Sequence, residues 1–589
     1  MNNFFRSFFA ALLALTVFSI IAVLIAFGIV AAVSSSVMSG KEGSAGNNAV
    51  LILDLSDHFS EVEPTEQIGS LLGNDDDKVP ALYDVVRMIN HAKSDGSVKG
   101  IYIKCEGNSN DFAASDELRN AIINFKSSGK FVYAYANNIS QKSYYVANVA
   151  GKLYCHPKGG GVEWHGFAMQ MPFIKIALER LEIEPQIFYA GKFKSATEPL
   201  RENQMTDANK LQSNELLHDI YGQFLLKASQ ARGIDTARLH QFADSNTLQF
   251  AADALKYKMV DGLKYDDEVK DEIKQQLKIA KDAQINFVSL GKYASSVSFK
   301  QSGTEKIAVI YAEGNIVDGT GARNNIGGDT YRNYIRKARL DNSIKAIVIR
   351  VNSGGGSAMA SEVMWREVVL AKKVKPVIVS FGDVAASGGY YMSCAADSIF
   401  AQPNTITGSI GVFGLLPNLQ KFFNDKLGVT FDEVHTSPDA NFMSVTKPLS
   451  PNQRRAIQNG IDTIYLQFKT RVADGRNKTV EYVDSIAQGR VWSGSRAVGL
   501  GLVDRIGGIA DAISAAAAKA KIKDYRLKEY PAKQNFLEMF IKDKSESAKD
   551  AAIKEELGAE GYRTYTTIRN MKQFIGKVQA RIPFEISIN

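Results

Sequence analysis

Cysteine is scarce in this chain: Cys105, Cys155 and Cys394 are the only three among 589 residues, odd in number and far apart. That excludes a disulfide framework and fits no zinc-ligand spacing, so small buried residues are the plain reading. Seven histidines form no H-E-x-x-H pattern and no cluster with cysteine, which removes the usual ligand sets for metal hydrolysis. "NSGGGSAMASE", from Asn352, lacks the G-K-[ST] ending of a phosphate loop, and no other stretch calls for a cofactor. An excess of one charge is missing too. With 70 basic against 63 acidic residues, net +7, and both signs spread along the chain, there is no footprint for nucleic acid.

What the chain does have begins with an apolar run. Phe8 to Val33 is about 26 residues without a charge, longer than the ~20 a helix needs to cross a bilayer and than the ~7–15 of a cleaved signal. This predicts a retained membrane anchor over residues 1–33, followed by a polar linker over 34–47. Arg6 lies before the run, and Lys41 and Glu42 lie after it, so the positive-inside tendency places the tip in the cytoplasm and the body outside.

The body repeats itself. "DGSVKGIYIKCEGNSN" from Asp95 matches "DNSIKAIVIRVNSGGG" from Asp341, and "SYYVANVAGKLYCHP" from Ser143 matches "GYYMSCAADSIFAQP" from Gly389, both at a separation of 246 residues. "KSATEPL" from Lys194 matches "MSVTKPL" from Met443 with the separation drifted to 249. Short apolar strands alternate with helical stretches in each copy, which predicts two tandem α/β units with sheets buried on both faces, over residues 48–300 and 301–520. Residues 521–589 have no counterpart in the first unit. They read as a helical and basic extension, either a solvated face or an oligomer contact, with membrane-surface binding as the alternative.

Repeats share a fold, so chemistry is expected where they disagree. Ser387, in "GDVAASGGYYMS", has Gln141 as its counterpart; Gly388 and Gly389 have Lys142 and Ser143. "NSGGGS" corresponds to "EGNSND", whose single glycine, Gly107, is out of register with all three. Ser387 stands at a predicted strand-to-helix turn, a fitting place for a nucleophile, but a hydroxyl needs a neighbour to take its proton. Conversely, Lys194 in the first unit has Met443 in the second. Each copy holds what its sister lacks, so Lys194 is the candidate base for Ser387.

A lysine working near neutrality must lose ~3 units from its free pKa, which burial can supply. Glu198 is therefore expected to point away from it. Ser409, in "TGSIGVFG", is the candidate for orienting the amine. Gly388 N–H at the start of a helix, with one N–H from Gly354 or Gly355, is the candidate oxyanion pair. His435 is the nearest candidate for a Ser-His-Asp triad, but it aligns with Phe188 in a predicted strand and reads as structural.

"NSGGGSA", "GDVAASGGYYMS", "TGSIGVFG" and "GKFKSATEP", set in tandem units behind an apolar run, together resemble the long, duplicated form of the signal peptide peptidase A family, and the ending "QARIPFEISIN" does so weakly. The resemblance implies caseinolytic-protease/crotonase-like units and membrane-anchored serine/lysine proteases. It further implies Ser387 as nucleophile, Lys194 as general base and Ser409 as its orienting partner. The implied assembly is a homotetrameric bowl on the periplasmic side of the bacterial cytoplasmic membrane, cutting remnant signal peptides. That family commonly carries proline where Gly354 stands. Ile410 to Leu416 would then be a wall for hydrophobic peptides, or plain core. Competing readings are a membrane-protein quality-control protease, a crotonase-like acyl-CoA enzyme, which would not need Lys194, and a non-catalytic membrane scaffold.

Overall fold

A computed structural model describes residues 45–63, 78–297, 303–322, 324–532 and 576–582, with a few isolated positions elsewhere. In the first unit β1 (Ala49–Asp54), β2 (Val98–Lys104) and β3 (Phe131–Ala136) alternate with α1 (Leu82–Ala92) and α2 (Phe112–Lys126). Then come α3 (Gln141–Ala147), β4 (Lys152–Cys155), β5 (Glu184–Ala190), α4 (Asp207–Arg232), β6 (Gly262–Leu263) and β7 (Phe287–Ser289). Their sheet runs β6-β4-β3-β2-β1-β7 and is parallel throughout. The continuous apolar strands follow from that, because helices and loops cover both faces.

The second unit repeats the scheme with β8 (Glu305–Glu313), β9 (Asn315–Val317), β10 (Asn325–Gly327), α5 (Gly328–Leu340), β11 (Ile344–Ser353), β12 (Gly355–Ser357) and α6 (Ala358–Lys372). It continues through β13 (Val377–Ala386), α7 (Gly388–Ser393), β14 (Ser398–Ala401), β15 (Ile406–Gly408), β16 (Val412–Asn418) and α8 (Pro451–Arg476). The last elements are β17 (Val491–Ser493), β18 (Arg505–Ile506), α9 (Ile509–Ala520), β19 (Tyr525–Tyr530) and β20 (Val578–Arg581). Its main sheet runs β17-β15-β13-β11-β8-β19, with β14 and β18 attached beside β13. The duplication is visible in detail. Both first strands slip register at their start, between Ala49 and Val50 and between Lys306 and Ile307. The closing helices α4 and α8 are each 26 residues long and begin at a hydroxyl cap, Thr206 or Ser450.

A third sheet, β10-β9-β12-β20-β16-β5, belongs to neither unit alone. In it β5 of the first unit pairs antiparallel with β16 of the second, from Val412 opposite Ala190 to Asn418 opposite Glu184. Phe188 and Ala190 thereby join the second unit's core. The units are also tied by buried charge. Arg350 on β11, fully buried, reaches Glu61 at 2.8 Å and Glu117 at 2.6 Å in the first unit, and donates to Ser380 Oγ and Phe381 O on β13, both at 2.9 Å. Burial pushes the Glu61 carboxyl up to about 8, against the pull of Arg350. Asp383 on β13 accepts from Ala113 N at 3.0 Å and Ala114 N at 2.9 Å, at the start of α2. Removing one partner of such a pair strands the other charge in the interior, at a cost of about 3–5 kcal/mol.

The expected membrane anchor is not upheld. Among the described residues no helix is long and apolar enough to cross a membrane. Within Phe8 to Val33 only positions 8, 13 and 15–21 are described, all helical. The rest of the run and most of the linker lie outside the described residues. The single-pass topology, the membrane as partner and the periplasmic location rested on that anchor and are withdrawn with it. The charged helical stretch expected around residues 542–561 also lies almost wholly outside the described residues. The end of the supposedly solvated extension, β20, is interior strand, with Ala580 fully buried.

Candidate active site

Strand β13 runs along the middle of the second unit's sheet and stops at Ala386. Ser387 then turns the chain into α7 with φ 52° and ψ −111°. A non-glycine residue in that region is strained, and the surrounding structure must hold it there. Here Ser387 N donates to Gly408 O at 2.8 Å, and Ser387 O accepts from Tyr391 N at 2.7 Å. Little room remains around it: a Cβ built on Gly388 would meet Ser361 Oγ at 2.7 Å, and one on Gly389 would meet Ser353 O at 2.8 Å. The two glycines after the serine are thus a packing requirement of the turn.

Lys194 arrives from the other unit. Beyond Ala190 the chain turns at Gly191 (φ 109°), where a Cβ would lie 2.6 Å from the Gln488 carbonyl carbon. Phe193 N donates to Gln488 O at 2.7 Å, and Gln212 on α4 donates to Phe193 O at 3.0 Å and Ser195 Oγ at 2.9 Å. Gly489 (φ 76°) lies flat against Lys194; a Cβ there would sit 2.7 Å from the lysine's Cβ and backbone N.

The three side chains meet. Lys194 Nζ lies 2.9 Å from Ser387 Oγ, 3.0 Å from Ser409 Oγ and 3.3 Å from Ser409 O. Lys194 is 1% exposed, and Ser387 and Ser409 are wholly buried. Burial drives the Lys194 amine well below its ordinary value, with desolvation the one cause acting on it. A neutral amine has two N–H bonds and one lone pair. Donation to the hydroxyl and carbonyl of Ser409 uses both bonds and leaves the lone pair directed at Ser387 Oγ. Glu198 is turned elsewhere: its carboxylate accepts from Thr206 N at 3.1 Å, Thr206 Oγ1 at 2.6 Å and Asn209 Nδ2 at 2.9 Å at the start of α4.

Among the oxyanion candidates, Gly388 and Gly355 are close neighbours; a Cβ on Gly355 would lie 2.7 Å from Gly388 N. The Gly355 N–H, however, donates to Ser353 Oγ at 3.1 Å. Gly354 faces Ile582, whose side chain would meet a Cβ there at 2.9 Å. His435 pairs with Glu433 at 2.9 Å in a separate loop. Val412 to Leu416, in the expected wall, lie on β16, held between β5 and β20. Sequence reasoning passed over Gln212, Gln488, Gly489 and β20. The motif "AQGRVWSG" around Gly489 carried the signal for the second and third; a strand pairing that spans more than 200 residues leaves no local pattern.

A serine on a strained strand-to-helix turn, with a desolvated amine at hydrogen-bond distance, in an α/β unit of this kind, defines a serine peptidase of the Ser-Lys class. Comparison with known proteins agrees. The model of peptidase family S49 matches residues 124–280 and 370–523, one segment in each unit. Protease 4 of Salmonella typhi is 35% identical over 547 residues, covering 90% of this chain and 87% of that protein. Protease 4 of Haemophilus influenzae is 34% identical over 510 residues, covering 83% and 82%. The chloroplastic serine protease SPPA of Arabidopsis thaliana is 33% identical over 440 residues, covering 73% and 64%. The chain belongs to peptidase family S49.

Proposed function

We propose that Ser387 is the nucleophile and Lys194 the general base of a peptide-hydrolysing site divided between the two units. The observation that carries this reading is the 2.9 Å approach of a buried, desolvated amine to the serine hydroxyl. Ser387 Oγ attacks the scissile carbonyl as its proton passes to Lys194 Nζ, and the same amine returns the proton to the leaving nitrogen. Water then hydrolyses the ester by the reverse sequence of proton transfers. Ser409 orients the amine and keeps its lone pair on the reaction path. Gly388 N–H is one donor to the developing oxyanion, and the glycine-rich stretch Gly354–Gly356 beside it brings the second.

The substrate is an extended peptide with apolar side chains, because Ser387 Oγ lies 3.4 Å from the carbonyl of Gly411 and strand β16, which follows at once, is rich in valine, phenylalanine and leucine. An acyl-CoA enzyme of related fold would need no amine at Ser387, and a scaffold would need neither residue. The test is hydrolysis of a short apolar peptide ester by the purified chain. Ser387→Ala is expected to lower kcat/KM by roughly 10⁴-fold or more; retained hydrolysis in that variant would refute the assignment.

A further inference from the structure

One short turn of the second unit, residues 487–490, binds the loop of Lys194 and the loop of Ser409 at once. On the lysine side, Gln488 O accepts from Phe193 N at 2.7 Å. On the serine side, Arg490 O accepts from Ser409 N at 2.7 Å, and Gly489 N donates to Ile410 O at 2.8 Å. The two loops therefore keep their spacing only while this turn keeps its place. Its backbone is left-handed at Gln488 (φ 52°) and Gly489 (φ 76°), and a side chain in that region needs holding from outside. Arg490 reaches across the boundary between the units to do so. Its guanidinium lies over the Phe193 ring at 4.9 Å and the Trp492 ring at 4.3 Å, and it pairs with Glu215 on α4. Glu215 stands three residues after Gln212 and four before Asp219, a spacing that puts all three on one face of the helix. Gln212 binds Phe193 O, and Asp219 accepts from Ser493 Oγ at 2.7 Å and pairs with Arg496 at 2.6 Å. The Arg490 side chain is 18% exposed, and a stacked cation gains more when it is desolvated.

We propose that Arg490 is a positioning residue for the reaction: stacked on Phe193 and Trp492 and paired with Glu215, it fixes the loop of Lys194 against the turn of Ser409, so that the amine meets Ser387 at one distance. This rests on the reading of Ser387 and Lys194 given above and deepens it by naming what sets the spacing between the two units at the site. Arg490 itself touches none of the reacting atoms. Its leverage comes from Phe193, which directly precedes Lys194: a ring free to swing carries the amine off its partners and lets water reach it. Lysine does not serve in place of this arginine, because an ammonium is a point charge and lacks the planar fork that lies on a ring while bonding a carboxylate.

The experiment measures kcat, KM and their pH profiles on one apolar peptide ester for the full chain, Arg490→Met, Phe193→Leu and the double variant, with Ser387→Ala as the control for the site. Arg490→Met is expected to lower kcat by roughly 10- to 100-fold while KM stays within about threefold. The rising limb of its pH profile is expected to move up by about half a pH unit or more, because an amine reached by water holds its proton more tightly. Phe193→Leu is expected to do the same, and the double variant to be no poorer than the worse single one, since both changes break one stack. Should Arg490→Met fail to fold, by circular dichroism, Glu215→Gln carries the test, with a smaller loss of kcat and a shift of the limb in the same direction. An unchanged kcat, a limb that does not move, or losses that multiply in the double variant overturns the positioning role while leaving the Ser387 assignment intact. Hydrolysis that survives Ser387→Ala overturns the underlying reading instead.

Discussion

The two units share a sheet, a slipped first register and a 26-residue closing helix, yet at the equivalent turn they do opposite things. In the second unit the turn residue is Ser387, at φ 52°, with its hydroxyl facing Lys194. In the first, the cap is Ser140 at φ −67° and ψ 158°, an unstrained helix start whose side chain accepts from Ser143 N. Gln141 then fills the space: its Oε1 accepts from His165 N at 2.9 Å and Gly166 N at 3.1 Å, and its Nε2 donates to Gly166 O at 2.9 Å. By the repeat, His165 and Gly166 correspond to Gly411 and Val412 beside the groove. The first unit has closed with a side chain what the second keeps for a peptide strand. Relaxed backbone and satisfied amides go with a scaffold; stored strain and a desolvated amine go with chemistry.

The largest expected break of this contrast is Lys194→Met, which gives the first unit the residue the second carries at Met443. Peptide-ester hydrolysis should fall by roughly 10³–10⁴-fold or more, with the fold kept. In the parent, activity should rise with pH as the amine deprotonates, with the limb well below 10.5, the ordinary lysine value. The variant's melting temperature should exceed the parent's by more at low pH than at high. Below its lowered pKa the native parent must hold a charged amine in the interior, and that penalty fades as pH rises toward 10.5, where the unfolded lysine also loses its proton. A melting advantage that is flat across pH would show that Lys194 is not the buried neutral group described.

Next in size is Gly489→Ala. The added methyl meets Lys194 at 2.7 Å on a backbone at φ 76°, so the amine is displaced from Ser387. A loss of about 10²-fold in kcat is expected, since small misplacements of a reacting group have large effects, together with about 1–3 kcal/mol of stability by denaturant titration. The smallest effect belongs to the silent turn: Gln141→Ala should leave kcat/KM within about twofold, while the unmet N–H groups of His165 and Gly166 cost about 1–3 kcal/mol. Loss of activity greater than loss of stability there would mean the first unit's turn is not merely structural.

Much of this was legible in the sequence because duplication supplies its own control. Ser387 and Lys194 stood out as the positions at which sister segments exchange chemistry, and the alternation of apolar strands with helices gave two parallel sheets. The third sheet was not legible. β5, β12, β16 and β20 come from four distant places, and pairing across such distances is decided by the packed structure rather than by local pattern. Gly489 was passed over because its role is to have no side chain against a lysine 295 positions earlier. The apolar run near the start shows the opposite error. Its length alone suggested a span, and among the described residues no helix is long and apolar enough to be one.

Dividing the pair between halves has a consequence for synthesis. Lys192, next to the loop that seats the lysine, bonds to Gln488, 296 residues further along. While a ribosome is still making the second half, the amine is wet, protonated and inert, and the serine it would activate has not yet emerged or has nothing to receive its proton. On the roles proposed for Ser387 and Lys194, cutting ability arrives in one step, after nearly all of the body has been translated and folded, which spares both the nascent chain and its neighbours from a half-built peptidase.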